Sequence, residues 1–397
     1  MTLAGERVGR LLPARPENRA DHRGRHGELR WTGSAAQLLD LIEAGGLRGR
    51  GGGGFPLARK LRAIGPGRPV VVANGCEGDP LSRKDEALLC LAPHLVLDGL
   101  ALAAFAVGAD TAYLCLHEGS PAEAGLIAAL SERPDDPVPA RPVRVPQRFV
   151  ASEESALVNF LGTGRARPLT TPPRPTERGV RGRPTVVSNV ETLAQLAVLA
   201  RVGPETYRRT GTSLFTISGA VRSPGVYELP HGPRLEELLH AAGGYGSSAV
   251  LIGGCGGRWV PLPAGLGQVL SVEATRAAGL QLGPAALVAL AADACGLAET
   301  ARILRYLADQ SAGQCGPCLF GLPAIAQDFH DIAADRAGTG GRAAWIRLQR
   351  RLPVIAGRGA CAHPDGAIGL ATSALRVFGA DLAAHRRGYC LHARRRR

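Results

Sequence analysis

Apolar residues recur along this chain with two different periods, and the places where the period changes divide it into parts. Ala35, Leu38, Leu39 and Ile42 share one helical face, and Gly45-Gly46 follows, which predicts a helix over residues 34–43. A glycine-rich run comes next, then a short helix through Lys60 and Leu61. Val70-Val71-Val72-Ala73 reads as a buried strand, residues 88–106 as one long buried helix, and residues 112–116 as a second strand. Strand alternating with helix predicts an α/β layer domain over residues 33–210.

From Thr212 the texture changes. Leu214 to Ser218, a Pro224-Gly225 turn, Val226 to Leu229, a helix at 235–242 and a strand at 250–253 give a β-β-α-β order, that of a small β-grasp module over residues 211–290. Helical periodicity then returns at 299–307, 322–334, 342–350 and 366–377, predicting a helical bundle over 291–385. Residues 1–32, rich in Arg, Gly and Pro, read as a loose lead-in, and residues 386–397 as a basic tail ending in Arg394 to Arg397.

Composition narrows the classes. The net charge of +13 would suit nucleic acid, but the arginines are scattered, aromatics are 4% and no recognition motif appears, so no nucleic-acid partner is expected. The most apolar stretch, 88–107, is interrupted by Pro93, His94 and Asp98, and the N-terminus lacks an apolar signal core. A cytoplasmic protein is expected. Of the nine cysteines, Cys315 and Cys318 form the one C-x-x-C pair, pointing to metal or redox chemistry. Cys90, Cys115, Cys295 and Cys390 lie singly and read as inert thiols. Only two lysines stand against 45 arginines, and both, Lys60 and Lys84, fall beside the segments that carry candidate chemistry.

The first such segment is Gly49-Arg50-Gly51-Gly52-Gly53-Gly54-Phe55-Pro56, whose glycines would expose successive backbone N–H groups to an anion or a planar ring. Because a helix precedes it, it is no dinucleotide fingerprint. The second, Asn74-Gly75-Cys76-Glu77-Gly78-Asp79-Pro80, leaves the carboxyl end of a strand, where open α/β sheets bind ligands. The third, Glu153-Glu154-Ser155-Ala156-Leu157, starts a helix with paired carboxylates, an arrangement that capping alone also explains. The fourth is Pro184-Thr185-Val186-Val187-Ser188-Asn189-Val190-Glu191-Thr192-Leu193.

In this order and spacing the four segments resemble the NADH- and FMN-binding flavoprotein subunits of respiratory complex I and the diaphorase subunits of NAD-linked hydrogenases and formate dehydrogenases. The resemblance covers nearly the whole chain. It implies an α/β flavin-binding domain followed by a β-grasp (SLBB-like) module and a C-terminal helical bundle. It implies FMN against Gly49, Arg50, Gly51, Gly52, Lys60, Asn74, Glu77, Asn189 and Thr192, and NADH as substrate against Phe55, Asp79, Glu153 and Glu154. It further implies an iron–sulfur cluster in the bundle and an electron-transfer partner, either ferredoxin-like or another member of a complex, with peripheral placement at the inner face of the plasma membrane where that complex is membrane-bound.

The chain departs from the family pattern in informative places. Cys76 replaces an acidic residue, Ser188 an asparagine, and Thr171-Pro172-Pro173-Arg174 stands where a Lys-Pro-Pro-Phe segment helps hold NADH. The cluster motif has Ala312 at its first ligand position, leaving Cys315, Cys318 and the distant Cys361. Alanine cannot ligate iron. The open alternatives are a 4Fe–4S cluster with a non-cysteine fourth ligand such as His363 or Asp365, a 3Fe–4S cluster, a zinc site using His363, and loss of the metal. At the level of the whole protein, the alternatives to an NADH-fed enzyme are a flavoprotein fed by ferredoxin and a non-catalytic scaffold.

Overall fold

The computed structural model describes residues 10–334 and 340–392. Arg394 to Arg397 of the expected basic tail lie outside the described residues. The first sheet is parallel, with strands β1 (Val70–Asn74), β2 (Thr111–His117), β3 (Ala140–Val145) and β4 (Thr185–Asn189) in the order β3-β2-β1-β4. The chain runs outward from β1 through β2 to β3, then returns to the other side of β1 for β4. The strand order therefore reverses between β1 and β4, and the crevice at their carboxyl ends is where such sheets bind ligands.

One face of this sheet is covered by the helices Pro93–Val107 and Val190–Val202, which pack closely because Gly99 has no side chain. A Cβ there would sit 1.8 Å from the carbonyl oxygen of Leu193. The single helix expected over 88–106 is instead two, Lys84–Leu91 and Pro93–Val107, meeting at 98°. Pro93 explains the break: it cannot continue the first helix but suits the first turn of the second. No single helix among the described residues is long and apolar enough to cross a membrane.

The described part of the lead-in is not loose. Asn18 caps a helix, Arg19–His26, whose His22 is buried between Glu17 (3.3 Å) and Asp98 (2.8 Å). Asp98 also pairs with Arg133 at 2.7 Å and with Arg201. This buried ionic knot fastens the amino-terminal segment to the helix that covers the sheet.

The second sheet has five strands rather than three: β5 (Thr212–Gly219), β6 (Gly225–Pro230), β7 (Ser247–Ile252), β8 (Arg258–Pro261) and β9 (Ala286–Ala291), in the order β6-β5-β9-β7-β8. The helix Leu235–Ala242 packs on it, and Phe215, Tyr227, Leu238, Val250 and Leu287 form their common core. The C-terminal helices Gly296–Asp309, Leu322–Ala334, Gly340–Ile355, His363–Val377 and Gly379–His385 form a bundle around Leu304, Phe329 and Leu370. Trp259 of β8 reaches into that bundle and donates its indole N–H to Thr300 at 2.9 Å.

Candidate functional site

The site assembles at the strand-order reversal. Asn74 ends β1, Asn189 ends β4, and the two are directly paired in the ladder. The glycine run arches over them as a closed loop: Gly49 N–H donates to the carbonyl of Phe55 (2.9 Å), and Arg48 bridges Pro56. Gly51 comes so close to Asn189 that a Cβ would lie 3.1 Å from that side chain, so only glycine leaves room there for a third group. Gly52 bridges Gly283 and thereby docks the loop on the β-grasp module.

Several expected ligand-binding side chains build the cradle from behind. The Thr192 hydroxyl accepts the backbone N–H of Arg50 at 2.8 Å. Asn189 caps its own helix by accepting from Glu191 N–H (3.0 Å) and donates its amide to Asp85 at 2.6 Å. Asn74 donates to the carbonyl of Ser152 (2.9 Å) and accepts from the Cys76 N–H (3.1 Å). Glu77 accepts from the N–H groups of Asp85 and Glu86 at the start of the helix Lys84–Leu91 and from the Ser82 hydroxyl. Its burial, with the nearby Asp85 carboxylate, pushes Glu77 up to about 7 against the pull of Lys84. Lys84 itself is wholly buried between Asp85 (2.6 Å) and Glu191 (3.0 Å), so it neutralises the floor of the site and does not reach a ligand.

A cavity of about 280 Å³ opens above this floor. Its walls carry Gly51, Asn74, Glu77, Asp79, Asn189 and Glu153 on the α/β side, and Cys361 and His363 on the bundle side. Gly253, Gly256, Gln281 and Pro284 of the β-grasp module close it. Asp79, expected at the nucleotide, instead accepts the Cys255 N–H of that module at 2.8 Å. A second cavity of about 270 Å³ shares Glu153 with the first and is lined by Phe55, Lys60, Glu154, Thr171 and Arg174. There Lys60 pairs with Glu154 at 2.9 Å and donates to the Val187 carbonyl at 2.6 Å. Glu153 caps the helix that follows it, accepting from Ser155 and Ala156 N–H at 3.0 Å each. A third cavity, about 560 Å³, adjoins the first through Glu77 to Asp79 and Phe149 and includes His117, Arg148 and Tyr306.

Arg50 Nε and Ser188 Oγ, on the segments that build the cradle, are buried without hydrogen-bond partners, but the Arg50 guanidinium turns to His231 at 3.4 Å and neither residue lines the cavity. At the bundle side the donor set suits sulfur-bound iron. Backbone N–H groups of Ala312 and Gly313 point at the Cys318 sulfur. Burial would raise the Cys315 thiol, yet N–H groups at Ala360 and Cys318 and the Cys318 thiol hold it below its ordinary value. Cys361 lies close enough to interact electrostatically with both, and burial pushes it up to about 11. Ala312 is buried beside them and offers no ligand.

Comparison with known proteins accounts for each part. Residues 42–198 match the Nuo51 FMN-binding domain family, residues 214–257 the SLBB domain, and residues 298–385 the NADH-ubiquinone oxidoreductase-F iron-sulfur binding region. One F-type polypeptide of the NADH-quinone oxidoreductase of Rhizobium meliloti is 32% identical over 378 residues, covering 88% of each chain. The chain belongs to the F-subunit family of NADH-quinone oxidoreductase. The F polypeptide of the Streptomyces coelicolor NADH-quinone oxidoreductase is 31% identical, covering 88% of this chain and 82% of that one. Among solved structures, an NAD+-reducing nickel–iron hydrogenase in its hydrogen-reduced state superposes with a TM-score of 0.81 at 31% identity. That match covers 89% of this chain and 62% of the hydrogenase chain.

As a member of the F-subunit family, the chain carries its flavin-domain segments and its cluster-region cysteines on the expected elements. The β-grasp contribution to the cavity was missed from sequence, because Gly253, Gly256 and Pro284 act through backbone shape and present no recognisable chemistry.

Proposed function

We propose that this chain is an electron-transfer flavoprotein that binds FMN in the first cavity and NADH against the second, and delivers electrons through an iron–sulfur cluster to a partner protein. The observation that carries this reading is the first cavity, which has Gly51 and Asn189 on one wall and Cys361 on the opposite one. A flavin held there would lie between the nucleotide and the cluster cysteines.

Bound FMN supplies hydride acceptance and release of single electrons, and a bound cluster supplies one-electron transfer. The residues of this chain bind and orient. The glycine loop, pinned by Thr192, presents its N–H groups, and Arg50 carries the positive charge behind it. Lys60 and Glu154 fix the border between the two cavities, and Phe55 with Arg174 bounds the nucleotide side. Cys315, Cys318 and Cys361 are the proposed iron ligands, three thiolates in place of the family's four. Leu319 and Phe320, 52% and 75% exposed directly after Cys318, suit contact with the electron-accepting partner.

A donor other than NADH is favoured by one observation: Arg174 occupies the wall where the family pattern has an aromatic face. NADH-dependent reduction of an artificial one-electron acceptor by the FMN-loaded chain tests the reading. Turnover that depends on both FMN and NADH supports it. FMN-loaded protein that ignores NADH but accepts electrons from reduced ferredoxin moves the chain to the second reading.

A further inference from the structure

Two of the cysteines that read as inert from sequence converge, across 95 positions, on one histidine. Cys295, His385 and Cys390 each offer one ligand atom, and these atoms all lie within 4.8 Å of one another. The Cys295 sulfur is 3.5 Å from His385 Nε2. His385 Nδ1 lies 3.2 Å from the carbonyl oxygen of Ile332. A carbonyl can only accept, so Nδ1 carries the proton and Nε2 presents its lone pair to the sulfurs. Such a backbone contact orients a metal-bound imidazole and fixes its tautomer.

We propose that Cys295, His385 and Cys390 bind a zinc ion, at a site separate from Cys315, Cys318 and Cys361. With Zn–S about 2.3 Å and Zn–N about 2.0–2.1 Å, tetrahedral angles put sulfur and nitrogen about 3.6 Å apart and the two sulfurs about 3.8 Å apart. The observed 3.5 Å matches the first edge, and the 4.8 Å limit leaves room for the second. Spacing this tight suits one ion rather than several irons. The donor set of two thiolates and one neutral imidazole is zinc's. Binding displaces one proton from each thiol to solvent, giving two thiolates on Zn2+ and no change of oxidation state.

Burial and the neighbouring Cys390 push the Cys295 thiol up to about 11, so the free site holds its protons and it is the ion that displaces them. Cys295 is the N-cap of the helix Gly296–Asp309, and its sulfur faces the N–H groups of Leu297 and Ala298. His385 is buried, whereas Cys295 and Cys390 are half-buried, so the ion has a path of entry and a place for water as fourth ligand. His392 is held on Asp381 at 2.8 Å. The ion would join the last helix and the turn after it to the start of the helix Gly296–Asp309, and through Ile332 to the helix Leu322–Ala334. It is a staple across the bundle whose next loop carries Cys315 and Cys318.

The test counts metals in the full chain expressed with zinc and purified under reducing conditions. The expected result is one zinc per chain, with an X-ray absorption spectrum of two sulfurs and one imidazole nitrogen. Cys390→Ser, near the chain end, should lose the zinc and keep its iron, while Cys315→Ser should do the reverse. In unmodified protein, a chelator should lower the melting temperature and added Zn2+ should restore it. Zinc retained by both Cys390→Ser and His385→Ala would overturn the proposal. So would unmodified, reduced protein that takes up no zinc, including protein in which Cys295 and Cys390 are found joined as a disulfide.

Discussion

The ammonium of Lys84 lies 3.0 Å from the carboxylate of Glu191, and neither side chain reaches solvent. Glu191 also accepts the Leu214 N–H of β5, so the pair links the flavin-site floor to the β-grasp module. Removing one partner of a buried pair leaves a charge without compensation. Lys84→Ala is therefore expected to cost about 3–5 kcal/mol of stability. Urea denaturation checks this, and a loss below about 1 kcal/mol would contradict the structural role assigned to Lys84.

Thr192 touches the glycine loop, with its hydroxyl accepting the Arg50 N–H. Thr192→Val keeps the shape and removes one hydrogen bond of about 1 kcal/mol. FMN affinity should fall by roughly fivefold with the fold intact. Fluorescence titration with FMN reads this directly, and an unchanged dissociation constant would show that the loop does not depend on Thr192.

The knot around His22 makes stability depend on pH. Burial would lower His22, but hydrogen bonds to Asp98 and Glu17 raise it above its ordinary 6.5. Burial would raise Glu17, but His22 and Arg25 bring it below 4.5. Stability from Glu17 is present above about 4.5 and is lost as pH falls through its lowered value. Stability from His22 is full below about 6.5 and is lost as pH rises through its raised value. The knot therefore contributes most between about 4.5 and 6.5. Denaturation midpoints of the wild type minus those of His22→Gln should peak in that window, and a difference independent of pH would contradict the assignment.

Much of the site could be read from sequence where the chemistry is local. Val70 to Ala73 announced a buried strand, so Asn74 to Asp79 had to leave its carboxyl end. What remained hidden depends on distance or on backbone alone. The amides of Asn74 and Asn189 are spent on Ser152 and Asp85, partners that no spacing reveals. The apolar run 88–106 concealed a 98° corner, because a proline such as Pro93 inside an apolar run fits one kinked helix or two separate helices equally well. Ala286 to Ala291 form a central strand of the second sheet, although alanine and leucine favour helix, because β5 and β7 pair with it on both sides.

Arg174 stands on the wall of the second cavity. Arg174→Phe restores an aromatic face, and base–aromatic stacking is worth about 1–3 kcal/mol. If NADH binds there, its affinity should rise by roughly tenfold or more while FMN affinity stays fixed. Isothermal titration of the FMN-loaded variant measures this, and unaltered NADH binding would place the nucleotide elsewhere.

The central claim, that one chain joins a nicotinamide nucleotide, a flavin and an iron–sulfur cluster, is tested most directly by an anaerobic spectrophotometric titration of the purified chain with NADH. The account predicts flavin absorbance that bleaches stoichiometrically with NADH, together with partial loss of the broad iron–sulfur absorbance, and loss of the latter in Cys361→Ser. Protein that stays colourless and iron-free after reconstitution with FMN, iron and sulfide would contradict it.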